Sequence, residues 1–173
     1  AQRIEENTWM TAATKKKAIE KLQAFDIKIG YPDKWQNMDS VFVIDDNKSL
    51  IENVKAVQEA AMKYRIAKRW GKPVDKKEWH MTPQTVNAYY DPTTNSINFP
   101  AAILQPPFFD PTVDDAANYG AIGAVIGHEM SHGFDDQGCQ FDKDGNMKNW
   151  WTEEDKKNYD ARTKVLVDWF NKQ

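Results

Sequence analysis

VIGHEMSHGFDD, residues Val125–Asp136, is the stretch on which the reading of this chain turns. Histidines four apart on a helix are separated by about 40° around its axis. His128 and His132 therefore share a face, and their rings can converge on one ion at the roughly 2.0–2.1 Å usual between zinc and nitrogen. Glu129 is turned from His128 by about 100°, beside such an ion rather than on it, where a general base for an attacking water belongs. Asp135 and Asp136 stand just past the second histidine, placed to accept a ring N–H and fix its tautomer. Hydration of a helix end accounts for Asp136 equally well. Gly120, Gly123 and Gly127 lie in the same predicted helix, and each costs about 1 kcal/mol relative to alanine, which suits close approach of another backbone. HExxH by itself is short enough to arise by chance, and a helical interaction domain with a chance HExxH is the alternative it leaves.

A catalytic zinc site normally has three protein ligands, and the third divides the known classes. A metzincin would need Gly at 135 and His at 138, where this chain has Asp135 and Gly138. The thermolysin-like pattern puts Glu on the next helix with Asp four positions later. Glu153 and Glu154 lie at about that distance, but Lys157 and Asn158 stand where the Asp should be. The helix dipole alone explains acids in a first turn. His80, the one remaining histidine, sits beside Trp79 in a charged loop and reads as partly exposed and non-ligating. The site is one ligand short.

Length and composition bound the rest. A chain of 173 residues suits one domain or a large piece of one. Its net charge of −3 argues against a nucleic-acid partner, which needs a clustered cationic face. The basic run from Lys63 to Lys77 reads as a solvated helix face. One cysteine, Cys139, excludes an internal disulfide framework. No apolar run approaches the roughly 20 residues of a membrane helix, so no membrane segment is expected. The start has no signal-peptide pattern and no initiator Met, which fits a chain cut from a longer protein.

Periodicity predicts a helix over about Asn7–Phe25, with Ala12, Ala18, Ile19, Leu22 and Phe25 recurring at helical spacing and Lys15, Lys16, Lys17, Glu20 and Lys21 mostly elsewhere. A second helix is predicted from Ser49, in a capping box with Glu52, to near Gly71, burying Leu50, Val54, Val57, Ala61 and Tyr64. Thr85–Tyr90 and Ser96–Phe99 read as a hairpin around Asp91–Asn95. The motif helix is predicted from about Asp114 to His132, and a last helix from Thr152 with Val165, Leu166, Trp169 and Phe170 as its apolar side. Four helical segments against two strands make a helix-rich α+β fold, with the hairpin lying across the start of the motif helix.

VIGHEMSHGFDDQG, VNAYYDPTTNSINFPAAILQPPFF and FDKDGNMKNWW, in this order and spacing, resemble the neprilysin and endothelin-converting-enzyme family of zinc peptidases. TWMTAATKKKAIEKLQAFDIKIGYPD resembles the family's segment upstream, so the similarity spans essentially the whole chain. The resemblance implies an incomplete zincin-type, thermolysin-like catalytic region. In that family the third ligand is a Glu in a Glu-Asn-x-x-Asp motif well downstream of HExxH. Neither that motif nor the family's downstream histidine and arginine occurs here, so the third ligand is expected beyond Gln173. The remaining C-terminal part of the same catalytic domain is then a partner of this chain. Its helices are expected on the glycine side of the motif helix, leaving Gly120, Gly123 and Gly127 bare without them.

Residue by residue, the resemblance makes His128 and His132 ligands of one Zn2+, Glu129 the catalytic base and Asp135 the acid that orients the second histidine. Asn87 and Ala88 match residues that hydrogen-bond a peptide substrate as an added strand, a mode an edge strand can supply. Ile103, Phe108 and Val125 match walls of the pocket for a bulky apolar side chain after the scissile bond; without the family they read as core. Tyr89 stands where animal members often have Phe. Asp142–Asn146 has Gly at the wrong position for a calcium loop and reads as a turn. The expected function of the parent is zinc-dependent endopeptidase of small peptides, in an extracytoplasmic compartment. The alternative for residues 1–173 is a catalytically silent structural fragment.

Overall fold

Helix α2 (Ala12–Gln23) begins later than its periodicity predicts, because Asn7 is spent on a turn: its Oδ1 accepts the N–H groups of Trp9 and Met10. A separate short helix, α1 (Gln2–Glu5), precedes it. The buried face of α2 is Thr14, Ala18 and Lys21, so Lys21 points inward rather than to solvent. The structure, a computed structural model, describes all 173 residues and divides into two units, residues 1–31 with 79–173, and residues 32–78.

In the larger unit the chain leaves α2 into β1 (Asp26–Gly30), a strand not anticipated from the sequence. It pairs in parallel with β3 (Ser96–Pro100), with Ile27 opposite Ile97 and Ile29 opposite Phe99. On the other side β2 (Tyr89–Asp91) pairs antiparallel with β3, giving a sheet of order β1-β3-β2. The predicted hairpin is present, but its first strand starts at Tyr89 rather than Thr85, so Asn87 and Ala88 precede it. Asn95 closes the turn at φ 51°, a left-handed position that Asn tolerates. Central β3 is wholly buried, and its polar side chains are satisfied: Asn98 Nδ2 donates to Ser96 Oγ and to the Tyr89 carbonyl.

The predicted motif helix is two helices, α4 (Asp115–Gly120) and α5 (Ile122–Ser131). Asp114 caps the first through the Ala117 N–H, and the chain breaks at Ala121, φ −95° and ψ −91°. Gly120 next to the break lowers the cost of leaving helical geometry. α5 packs on β2 and β3. Thr152 and Asp155 form a capping box that starts α6 (Glu153–Phe170), and Asp155 also binds the Thr11 N–H and Thr14 hydroxyl of the α2 start. Beside that junction lies an aromatic cluster of Trp150 and Trp151 with Met10, Ala18 and Cys139. The predicted apolar side of α6 is not buried: Val165, Leu166, Trp169 and Phe170 are all exposed. The resulting architecture is a helix-rich α+β fold around one small open sheet.

The smaller unit is built on α3 (Leu50–Arg69). The Ser49–Glu52 capping box is present with both reciprocal bonds. Its predicted stripe is only partly covered: Val57, Ala61 and Tyr64 are half-buried, whereas Leu50 and Val54 are exposed. Asn53 is the buried residue, bonded to the Asp45 N–H and carbonyl.

Candidate metal centre

The C-terminal end of α5 carries the candidate centre. His128 Nε2 and His132 Nε2 face each other at 3.1 Å, with ring centroids 4.6 Å apart and planes at 79°. Two nitrogens each about 2.0–2.1 Å from a tetrahedral zinc stand about 3.3 Å apart, so this pair fits zinc as it stands. Asp135 Oδ2 lies 3.0 Å from His132 Nδ1. That contact puts the ring proton on Nδ1 and leaves Nε2 with a lone pair for a metal. The other carboxylate oxygen of Asp135 accepts the Gln137 N–H at 3.0 Å and the Gly138 N–H at 2.7 Å, which fixes the acid in place.

Asp136 takes no part in this: its carboxylate accepts from Gln137 Nε2 and lies at the exposed end of the helix. Of the two acids after the motif, Asp135 meets the His132 ring and Asp136 lies exposed. Glu129 is only 6% exposed, yet it lines the same cleft as the histidines. A carboxylate held on the cleft wall but largely out of solvent suits proton transfer.

The cleft measures about 540 Å³. His128, Glu129, His132 and Asp135 line it together with Asn87, Ala88, Tyr89 and Tyr90. The structure thus brings Asn87 and Ala88 to the histidines, with a change in detail. Asn87 is not in a strand; its Oδ1 accepts the Ala88 N–H at 2.9 Å, ahead of the edge strand β2. Ile103, Phe108 and Val125 gather in one apolar cluster with Ala88, Ile97, Phe99 and Ile122. Ile103 is buried there, Phe108 and Val125 half-buried, and none of the three lines the cleft holding the histidines.

Tyr90 and Gly138 belong to the site and were not singled out from the sequence. Burial, with the charges of Asp91 and Asp135, pushes the Tyr90 phenol far up, so it stays a neutral donor to Asn95 Oδ1. Its place beside Asn87 and Ala88 in the hairpin was the available signal. Gly138 had none: the Lys21 and Trp150 donors that meet its carbonyl come from elsewhere in the chain.

No group of three His, Cys, Asp or Glu side chains is placed to hold a metal ion together. Glu153 lines a separate pocket with Asp136 and Lys156, and His80 pairs with Asp91 at 3.3 Å and does not line the cleft. Asp142–Asn146 is a turn, with Asp142 Oδ1 accepting the N–H groups of Asp144 and Asn146. Around Gly120 and Gly127 nothing lies within 4 Å of where a Cβ would stand, and Gly123 meets only Asn118 and Tyr119 of the preceding α4, at ordinary distance. The close backbone approach that these glycines suggest is not made within residues 1–173.

Residues 87–173 and residues 1–32 match two family models, both described as peptidase family M13. The chain is 47% identical over 170 residues to a neutral endopeptidase of Lactobacillus helveticus, covering 98% of this chain and 26% of that protein. It is 44% identical over 174 residues to neprilysin-11 of Caenorhabditis elegans, covering 97% and 20%. Among solved structures, zinc metalloprotease Zmp1 of Mycobacterium tuberculosis in complex with an inhibitor superposes at a TM-score of 0.87 and 54% identity, over 96% of this chain and 25% of that one. The chain therefore spans about a quarter of the length of such relatives.

Proposed function

The chain belongs to peptidase family M13, and from that premise we propose that the whole protein is a zinc-dependent endopeptidase of zincin type whose chemistry is carried at the end of α5. His128 and His132 hold the metal through Nε2, and Asp135 keeps the second ring in the required tautomer. Glu129 takes a proton from the water that attacks the scissile carbonyl and returns it to the leaving amine. Zinc, when bound, acidifies water and polarises the carbonyl. The observation that carries this reading is the 3.1 Å approach of the two Nε2 atoms beside Glu129, with Asp135 on the far nitrogen of His132.

Peptide substrates enter along the β2 edge past Asn87 and Ala88, a placement supported by the position of β2 at the rim of the sheet. The preference for a bulky apolar residue after the scissile bond is assigned to Ile103, Phe108 and Val125. Their shared cluster with cleft-lining Ala88 supports this. Residues 1–173 offer no third ligand, so we assign it to another part of the whole protein, together with the remainder of the catalytic domain. An extracytoplasmic location goes with this reading; no helix here is long and apolar enough to cross a membrane.

The test is Glu129→Gln in the full-length protein. It keeps shape and zinc but removes the base, so hydrolysis of a peptide should fall about 10²–10⁴-fold at unchanged zinc content. Near wild-type turnover in the zinc-loaded variant would remove Glu129 from the mechanism. His128→Ala should instead lose the metal. Peptides differing only in the residue after the scissile bond read the preference in the same assay.

A further inference from the structure

Lys21 lies among charged residues of α2 and yet is 1% exposed. Its Nζ donates at 2.7 Å to the Gly138 carbonyl and at 2.7 Å to the Phe141 carbonyl, both in the turn that follows the metal motif. The ammonium also lies over the rings of Trp150 and Tyr90, at 5.4 and 5.7 Å. Gly138 is held from its other side as well, since its N–H donates to Asp135 Oδ1 at 2.7 Å. Asp135 Oδ2 in turn meets His132 Nδ1 at 3.0 Å. One unbroken run of polar contacts thus leads from α2 through the turn to the second histidine.

We propose that Lys21 is a positioning residue for the metal site, anchoring the Gly138–Phe141 turn so that Asp135 stays fixed against His132. The inference rests on the reading of His132 as a zinc ligand. The ammonium is costly where it sits: burial draws Lys21 down to about 8, against the opposing charges of Asp135 and Asp142. An aliphatic chain of similar length could fill the same space without that cost. What it could not supply is two charge-assisted donors to two carbonyls of a single turn. Those donors hold the turn closed at the point where its Gly138 amide grips Asp135.

The experiment measures zinc affinity of the full-length protein by competition with a chromophoric chelator, for Lys21→Met, Asp135→Asn and the double variant. Outer partners of metal-binding histidines typically contribute about 10–100-fold in affinity, and each single variant should lose on the order of tenfold or more. The double variant should bind barely more weakly than Asp135→Asn alone, because both act through the same contact. Lys21→Arg, which keeps charged donors, should recover part of the loss. Losses that multiply in the double variant would overturn the proposal, as would wild-type affinity in Lys21→Met beside a weakened Asp135→Asn; both leave His132 as a ligand. Full affinity in Asp135→Asn and His132→Ala together would instead sink the site itself, and this inference with it. If Lys21→Met does not fold, Lys21→Gln, which is neutral and shorter, decides by the same comparison.

Discussion

The Asp155 carboxylate, fully buried at the start of α6, accepts from the Thr11 N–H, the Thr14 hydroxyl, and the N–H and hydroxyl of Thr152. Burial alone pushes this carboxyl up, but the hydrogen bonds from Thr14, Thr152 and Thr11 outweigh it and hold it at about 2. The folded value lies below the roughly 3.9 of an unfolded Asp. Its contribution to stability is therefore fully present above about pH 4 and is lost as pH falls through about 2. Asp155→Asn should destabilise the protein by about 2–3 kcal/mol at neutral pH, the order of a lost cap and charged hydrogen bonds. It should also flatten the dependence of stability on pH between about 4 and 2. Urea unfolding across that range measures both, and a variant with the wild-type slope would contradict the assignment. From the sequence, Asp155 is one of three acids in a first helical turn, explained by the dipole. That it ties α6 to α2 depends on Thr11 and Thr14, which no local pattern connects to it.

At the scale of elements, the turn between α5 and the 3₁₀ stretch Gly138–Gln140 leaves no room for a side chain. A Cβ on Gly138 would stand 2.0 Å from the His132 carbonyl oxygen and 2.5 Å from the Gly133 carbonyl carbon. Both are backbone atoms, and one belongs to a proposed metal ligand. Gly138→Ala should cost more than about 2 kcal/mol, the range of overpacking in a rigid site, and should weaken zinc binding together with thermal stability. A variant that melts and binds zinc as wild type would show that the turn can yield. The helices are legible locally: Ser49 with Glu52 and Thr152 with Asp155 mark two starts within four residues each. β1 is less so: Ile27 and Ile29 share a sheet face with buried Ile97 and Phe99 of β3, yet at this edge they are 61% and 64% exposed. Parallel pairing with distant β3 is what makes these residues a strand.

For the molecule as a whole, the histidine pair supplies two nitrogens where catalytic zinc sites use three protein ligands. Residues 1–173 alone should therefore bind zinc far more weakly than the full-length protein, and should not cleave a peptide with Phe or Leu after the scissile bond. Calorimetric zinc titration and a peptidase assay on that chain check this. Robust, chelator-sensitive cleavage would mean that a third ligand lies within these residues, with Glu153 and Glu154 the first to test.

The sequence by itself determined the spacing of His128, Glu129 and His132, the helix starts at Ser49 and Thr152, and the hairpin turn at Asp91–Asn95. Each depends on contacts within a few residues, so residue type and spacing are enough. Only the tertiary structure decided that Lys21 points inward, that β1 joins the sheet, and that the motif helix breaks at Ala121. It also brought Asn87 and Ala88 to the cleft and set Asp135, not Asp136, against His132. These outcomes turn on groups far apart in the chain or on which neighbour takes a given hydrogen bond. A buried ammonium needs carbonyl partners and an edge strand needs a partner strand, and local periodicity does not name either partner.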